Sequence, residues 1–357
     1  MAERNPGARR GRGATIDPPN RYDALHREAV DDGWDGLKRL AQERIETVLV
    51  ADAAREVIQR NRSPDVPFDR SVNPYRGCEH GCIYCFARPT HAHLGYSPGL
   101  DFETRIHYKP EAAERLREAL AAPGYVPATL ALGINTDAWQ PSERRLGLTR
   151  RVLEVLHEAR HPVSIVTKSA LIERDLDLLS AMARRRLVQV ALSVTTLDGE
   201  LARRMEPRAA APRRRIETLR RLHAAGVPVG VLVAPVIPFL NDHELERILA
   251  TCREAGASFA GYVLLRLPLE VAPLFDAWLE RHYPERRSRI LNRIRDCRDG
   301  RLYDATFGVR MRGRGIYAET IARRFRKAVE RLGYGAAPSL DVTAFRPPGV
   351  GGQLSLF

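Results

Sequence analysis

The chain has 357 residues, 44% of them hydrophobic and 28% charged, and a formal net charge of +13. That length gives one large domain or two ordinary ones, with enough apolar residues for a sizeable core. No apolar run reaches the ~18 residues expected of a membrane helix; the best, residues 227–240, is cut by Pro228, Pro235 and Pro238. No membrane partner is therefore expected. The first residues also lack the charged-then-apolar order of a signal peptide, so the expected address is the cytoplasm.

The positive balance points to a polyanionic partner such as nucleic acid. A plainer reading competes with it. The only lysines are Lys38, Lys109, Lys168 and Lys327, so nearly all the positive charge is arginine, as a GC-rich genome would produce. Runs such as residues 184–186 and 213–215 also fit solvated helix ends.

In chain order, residues 1–20 contain Gly, Arg and Pro without apolar periodicity and read as a disordered basic arm. Residues 21–64 read as a helical N-terminal extension, because Leu37, Leu40, Ala41, Ile45 and Val48 fall at helical spacing. Residues 65–267 alternate between the two periods. Strands are expected at 70–75, 129–135, 163–167, 187–194, 227–236 and 258–266. Helices are expected at 111–121, 144–160, 171–184, 213–225 and 242–255. Gly226 and Gly256 stand where helix-ending residues should. Repeated βα units imply a parallel sheet with helices outside. Six units are too few for a closed eight-stranded barrel. The predicted fold is α/β, a partial (β/α)6 TIM-type barrel with an N-terminal helical extension and a C-terminal helical cap. The cap is residues 268–334, with Leu274, Trp278 and Leu279, then Ile321, Phe325 and Val329, as apolar stripes. Residues 335–357 read as a flexible tail.

One loop carries the chemistry. It runs Arg76-Gly77-Cys78-Glu79-His80-Gly81-Cys82-Ile83-Tyr84-Cys85, a C-x3-C-x2-C pattern that follows the first barrel strand. Three thiolates so close together can hold one metal cluster from a single loop. A [4Fe–4S] cube usually takes four cysteines, so three leave one iron open to a reactant. Structural zinc needs four ligands, and the remaining cysteines, Cys252 and Cys297, are far away. His80 can complete a zinc set only through a cramped chelate, and a disulfide needs an even set and an oxidising compartment. Zinc and free thiols remain the alternatives. In barrels of this kind sites form at the C-terminal ends of strands, which is where this loop lies.

At these residues the sequence resembles the radical S-adenosylmethionine (SAM) superfamily, whose signature is Cys-x3-Cys-x-aromatic-Cys; Tyr84 fills the aromatic position. The longer string from Asn73-Pro74-Tyr75 to Phe86-Ala87-Arg88 resembles a branch related to spore photoproduct lyase, over roughly residues 65–335. The resemblance implies the same partial barrel. It also implies a [4Fe–4S] cluster on Cys78, Cys82 and Cys85 whose open iron chelates SAM. The reduced cluster would cleave SAM to a 5′-deoxyadenosyl radical, which abstracts a hydrogen atom. An electron donor of flavodoxin or ferredoxin type follows from the same resemblance. Spore photoproduct lyase uses a further cysteine as hydrogen donor, yet no cysteine occurs here from Phe86 to Thr251. Thymine-dimer reversal by that route is therefore not expected, and Tyr96, Tyr108 and Tyr125 are the remaining donor candidates.

Strand ends supply candidates for holding SAM. Thr136 and Asp137 follow the second strand and are a SAM-ammonium site or an Asx turn. Lys168, a scarce lysine at the end of the third strand, can pair with the SAM carboxylate. Ser193 and Thr195 point to one face of the fourth strand and resemble the family's ribose contacts. Gly230 on the fifth strand allows close approach of an adenine or marks a bulge, and Tyr84 can meet the adenine. His91 and His93 are substrate-side acids or bases, or satisfied loop histidines.

A second short signal closes the chain. The Gly- and Pro-containing residues 335–352 read as a tether spanning ~23 Å, followed by apolar groups that gain nothing from water. Gln353, Leu354, Ser355, Leu356 and Phe357 resemble the pentapeptide with which bacterial proteins dock on the DNA sliding clamp. Tethering to such a ring would raise the effective concentration near DNA. Together these features predict a radical SAM enzyme acting on DNA in repair or modification. A radical SAM enzyme acting on RNA, protein or a small molecule is the first alternative, and a non-catalytic clamp-associated iron–sulfur protein the second.

Overall fold

The computed structural model describes residues 11–23 and 45–349. Ten strands are formed among them: β1 (Val48–Ala51), β2 (Ile58–Arg60), β3 (Arg70–Val72), β4 (Tyr75–Arg76), β5 (Arg105–Tyr108), β6 (Leu130–Leu132), β7 (Val163–Thr167), β8 (Val188–Ser193), β9 (Val229–Val236) and β10 (Phe259–Leu264). The large sheet has the order β10-β9-β8-β7-β6-β3-β2. Its neighbours from β3 to β10 are parallel, with registers such as Val163↔Val188 and Val190↔Val229, and only β2 runs antiparallel, at the edge. The six parallel strands are the six expected, and the open order makes the partial barrel. β1, β5 and β4 form a small separate sheet beside the cysteine loop.

The alternation in β7 explains the layering. Val163, Ile165 and Thr167 are buried while Ser164 and Val166 are half-buried. The buried set packs in one core with Val152, Leu153 and Leu156 of the helix Leu148–Glu158, Leu219 and Leu222 of the helix Pro212–Ala224, and Leu245 and Leu249 of the helix Leu245–Glu254. The other face of β7 is the half-buried one. Pro212 stands in the first helical turn, where its missing N–H costs no hydrogen bond. A second core lies under the cap helices Val271–His282 and Pro284–Asp296, where Phe275, Trp278, Leu279 and Ile290 enclose Ile83 and Tyr84 of the cysteine loop. The cap therefore holds the loop from one side. No described helix is long and apolar enough to cross a membrane.

Three expectations about the chain's periphery change. Residues 11–20 do not behave as a disordered arm: Arg12, Gly13, Ala14 and Asn20 are buried, Gly13 and Ala14 against the cysteine loop, Arg12 on the Glu103 carbonyl and Asn20 on the Ala92 carbonyl. Residues 45–64 hold strands β1 and β2 rather than helix, because β1 pairs with β5 and β2 with β3; residues 24–44 lie outside the described part. The expected tether is shorter at its start. The Gly335 N–H donates to the Ser258 carbonyl at 2.9 Å and the Arg346 N–H to the Ala159 carbonyl at 2.9 Å. Phe345 packs on Tyr125 and His161. The segment is thus fastened at the N-terminal end of the barrel, opposite the cysteines. Gln353, Leu354, Ser355, Leu356 and Phe357 lie outside the described residues.

Candidate metal and cofactor site

The cysteine loop is held by backbone groups that reach it from distant elements. Gly77 and Gly81 adopt φ of +79° and +66°, the left-handed region that glycine enters without strain. The Cys78 N–H donates to the Phe102 carbonyl at 2.9 Å and the Ile83 N–H to the Met205 carbonyl at 3.0 Å. The Arg88 guanidinium, fully buried, donates to the carbonyls of Gly81 (3.2 Å), Cys82 (2.9 Å), Pro98 (3.1 Å) and Gly99 (2.8 Å) and to the Glu103 carboxylate. Glu103 also accepts the N–H groups of Gly13 and Ala14, each at 2.9 Å. A buried ion pair is tolerable when its remaining lone pairs and protons find partners, and here the loop and the N-terminal segment supply them. A Cβ on Gly13 would lie 1.8 Å from the Gly81 oxygen. Glycine at that position is what lets the two backbones touch.

Glu79 fastens the other half of the loop. Its carboxylate accepts from the hydroxyls of Thr47 (2.7 Å) and Ser142 and pairs with Arg208 at 3.0 Å. Its N–H donates to Gln140 Oε1 at 2.8 Å, and Gln140 Nε2 donates to the Gly77 carbonyl at 3.2 Å. The loop is in this way tied to the segment that follows β6.

Cys78 and Cys82 are buried and Cys85 is half-buried. Burial, then the neighbouring Asp137, Cys82 and Cys85, push the Cys78 thiol up; burial pushes Cys82 up to about 12, against the opposing charge of Lys168. Free thiols here would stay protonated, whereas a coordinating metal deprotonates them. Cys82 and Cys85 lie close enough to Cys78 for their charges to act on it. Structural zinc takes four ligands, and this loop carries three cysteines. A cube takes one thiolate on each of three irons, so a ring of three neighbouring cysteines suits it. The donor set therefore fits a [4Fe–4S] cluster. Cys252 and Cys297 belong to the hydrophobic core and stay apart from the loop.

The six residues expected to hold SAM cluster around this loop, but most already have partners. Asp137 accepts from the Trp139 N–H at 2.9 Å, an Asx turn, and from Thr167 Oγ1 (2.8 Å) and the Lys168 N–H (2.8 Å). It thereby bonds the ends of β6 and β7 together. Its backbone N–H faces the Cys78 sulfur, and its carboxylate lies 3.4 Å from His80 Nδ1. Burial pushes His80 down and outweighs that carboxylate, leaving a neutral imidazole. Thr136 Oγ1 donates to the Tyr75 carbonyl at 2.8 Å. Ser193 and Thr195 both donate to the Ala234 carbonyl at 3.2 Å. The Tyr84 hydroxyl donates to Glu206 and meets Thr195 Oγ1 at 3.2 Å. Lys168 differs: its ammonium sits 5.9 Å from the Tyr84 ring centre and makes no hydrogen bond or ion pair among the described residues. Burial pulls Lys168 down, yet Cys82 and Glu206 outweigh it and raise the amine, keeping it charged.

Several site residues carried no pattern readable in the chain. Glu206, fully buried, pairs with Arg215, whose Nη1 also donates to the Ser193 carbonyl at 2.9 Å. Burial opposes ionisation of Glu206, but Arg215 and Lys168 hold its carboxyl down at about 2. Asn241 Nδ2 donates to the carbonyls of Thr195 (2.8 Å) and Pro235 (2.9 Å), joining the ends of β8 and β9. Arg88 does lie in the string following Cys85, but its partner Glu103 could not be inferred from spacing. Beyond His80 a cleft of about 500 Å³ opens between the loops after β6, β7 and β8, lined among others by Arg144, Ser169, Arg208 and Arg214.

The candidate hydrogen donors and acids separate in space. Tyr125 bonds to His161 at 2.8 Å at the far end of the barrel, away from the cysteines. Tyr108 pairs with Tyr75 in the small sheet. Tyr96 packs at a tilt against both His91 and His107. His91 is buried behind Gly77 with both ring nitrogens unpartnered, and His93 is exposed against Tyr22.

Comparison with known proteins agrees with this geometry. The family model of the radical SAM superfamily matches residues 72–252. An uncharacterized protein of Mycobacterium tuberculosis is 38% identical over 277 residues, covering 74% of this chain and 82% of its own. An uncharacterized protein of Methanocaldococcus jannaschii is 26% identical over 245 residues, 69% of this chain and 87% of its own. Among solved structures, spore photoproduct lyase complexed with dinucleoside spore photoproduct superposes with a TM-score of 0.56 at 14% identity, over 80% of each chain. A mutant of the same lyase gives 0.57 at 15% identity, again over 80% of each chain. These lyase structures share the fold. The chain belongs to the radical SAM superfamily, which uses a [4Fe–4S] cluster and S-adenosylmethionine.

Proposed function

We propose that this radical SAM protein is an enzyme that acts on DNA, in repair or modification. Cys78, Cys82 and Cys85 hold the cluster, which when bound and reduced supplies the electron that splits SAM into methionine and a 5′-deoxyadenosyl radical. The chain's own residues then have three tasks. Lys168 binds the SAM carboxylate as a point charge; the observation that carries this is its charged, unpartnered ammonium beside Cys82 and Tyr84. Tyr84, Thr195, Glu206 and Arg215 form a buried polar floor that fixes the loop under that ligand. Thr136, Asp137 and Ser193 contribute through the strand ends they brace. The cap and the N-terminal segment exclude water from the back of the loop.

DNA is favoured by the net charge of +13 and by the shared fold with a lyase solved in complex with dinucleoside spore photoproduct. The pentapeptide from Gln353 to Phe357 would bring the enzyme to a bacterial sliding clamp, and a flavodoxin or ferredoxin would deliver the electron. The decisive test is anaerobic turnover of the reconstituted protein with SAM, with dithionite as reductant, on undamaged and damaged oligonucleotides. SAM-derived 5′-deoxyadenosine whose yield rises with DNA supports the reading. A yield indifferent to DNA, yet raised by RNA, a peptide or a small molecule, replaces the substrate. Stable iron without SAM binding removes the enzyme. Unchanged clamp binding after deletion of residues 353–357 removes the docking role.

A further inference from the structure

Phe86 follows Cys85 directly and is 41% exposed, although the residues on either side of it belong to the packed loop. Its ring is not bare. The Arg266 guanidinium, at the C-terminal end of β10, lies 4.9 Å from the ring centre. Arg266 Nη1 also contacts the Met311 sulfur at 3.4 Å, and no carboxylate pairs with Arg266 among the described residues. Met311 is held in place because the Leu264 N–H donates to its carbonyl at 2.9 Å. Along the same loop Phe307 is 55% exposed with the Arg310 guanidinium 4.7 Å from its ring centre. Arg310 is anchored by Asp65 and Ser63. Arg312, exposed and likewise without a carboxylate partner among the described residues, stacks over Tyr262 at 4.1 Å.

Aromatic faces interleaved with arginines form the surface that single-stranded nucleic acid uses: bases stack on rings, and phosphates meet guanidinium groups. We infer that Phe86, Arg266, Met311 and Phe307 form a base-stacking platform that presents single-stranded or unpaired DNA to the cluster edge, with Arg266 and Arg312 on its phosphates. Two observations set this patch apart from ordinary surface. It starts at the residue bonded to a cluster cysteine, where a substrate must come. Arg266 and Arg312, which make no ion pair among the described residues, supply the charge complement of a phosphate backbone. A duplex keeps its bases stacked on each other, so the platform discriminates for unpaired bases.

This inference rests on the DNA reading and has its own test. Binding of a short fluorescein-labelled single-stranded DNA, and of the same sequence as a duplex, is followed by anisotropy with the anaerobically reconstituted full chain at several salt concentrations. Phe86→Ala is expected to weaken single-strand binding roughly 5- to 150-fold, the range of one lost base–ring stack; Phe86→Trp is expected to keep it. Arg266→Gln is expected to weaken binding and reduce the salt slope by about 0.7, one phosphate's worth on a single strand. Iron content and SAM binding of each variant show that the loop is intact, and Arg266→Gln tests the platform even where Phe86→Ala fails to load iron. If the wild type binds no DNA, the DNA reading falls and the platform with it. If the wild type binds but both variants bind equally well, or the duplex binds as tightly as the single strand, the platform alone is overturned. Much tighter binding of RNA of the same sequence overturns the choice of DNA.

Discussion

The two sides of the cysteine loop are built on opposite principles. On the side facing the N-terminal segment and the segment after β6, polar groups are matched with partners: Arg88 with Glu103 and four carbonyls, Glu79 with two hydroxyls and Arg208. On the side facing the concave mouth, Lys168 and Arg266 make no ion pair among the described residues, although Glu206 and Asp65 lie close enough to feel their charge, and Phe86 is exposed. The first side is a scaffold that must not move. The second is the one left with unfulfilled interactions, which is what ligands require. Preorganisation of this sort works only if the supporting groups are locked and the receiving groups are not already occupied.

Substitutions on the two sides should therefore fail differently. The largest effect belongs to the ligands themselves: Cys82→Ser, or either of its partners, should abolish cluster assembly, measured as loss of iron and of the visible charge-transfer absorbance after anaerobic reconstitution. Retention of about 4 irons per chain with SAM cleavage would break the ligand assignment. On the scaffold side, Glu103→Ala strands the buried Arg88 guanidinium and should cost about 3–5 kcal/mol in urea unfolding. A cost under about 1 kcal/mol would mean that water or loop movement rescues Arg88 and that this side is not rigid.

Glu206 offers a pH-resolved version of the same contrast. Its carboxyl is held at about 2, below the ordinary 4.5. Its stabilising contribution is accordingly present above pH 4.5 and lost as the pH falls through about 2. With about 1.4 kcal/mol per pH unit, it is on the order of 3 kcal/mol at neutral pH. The gap in stability between wild type and Glu206→Gln should narrow across that window, and a gap independent of pH would refute the ion-pair account. Gly13→Ala places a methyl group against the Gly81 backbone oxygen and should cost about 1–3 kcal/mol, with faster loss of the cluster in air; wild-type behaviour would show that the N-terminal segment does not brace the loop. The smallest effect on stability is expected on the open side. Lys168→Ala leaves Glu206 its Arg215 partner and should destabilise the fold less than Glu103→Ala does, yet weaken SAM binding roughly 10-fold, equal to about 1.4 kcal/mol. Equal SAM affinity would remove Lys168 from the site.

The sequence displayed the features that depend on local order. Period-2 and period-3.6 patterns located all six barrel strands, because in a βα repeat each element's buried face is written in its own residues. The cysteine loop was legible for a related reason: Cys78, Cys82 and Cys85 all stand within one short segment. The expectations that failed lie at the periphery. Residues 11–20 have no periodicity because they are fastened one by one, through the N–H groups of Gly13 and Ala14 and the side chains of Arg12, Asp17 and Asn20, rather than by one repeating apolar face. Residues 45–64 contain apolar residues at helical spacing, but pairing with β5 and β3 overrode that weak preference. Asp137 and Thr136 stand beside the cysteine loop, where their side chains brace strand ends.

By itself the sequence determined the repeat that gives a parallel α/β barrel and the C-x3-C-x2-C loop that gives a metal centre at its catalytic end. Only the tertiary structure decided which polar residues support that loop and which are left to bind. Arg88 and Glu103, Glu206 and Arg215, and Phe86 and Arg266 meet only after folding. Their separation along the chain leaves no spacing rule to read, whereas burial and hydrogen-bond satisfaction in three dimensions determine each partnership.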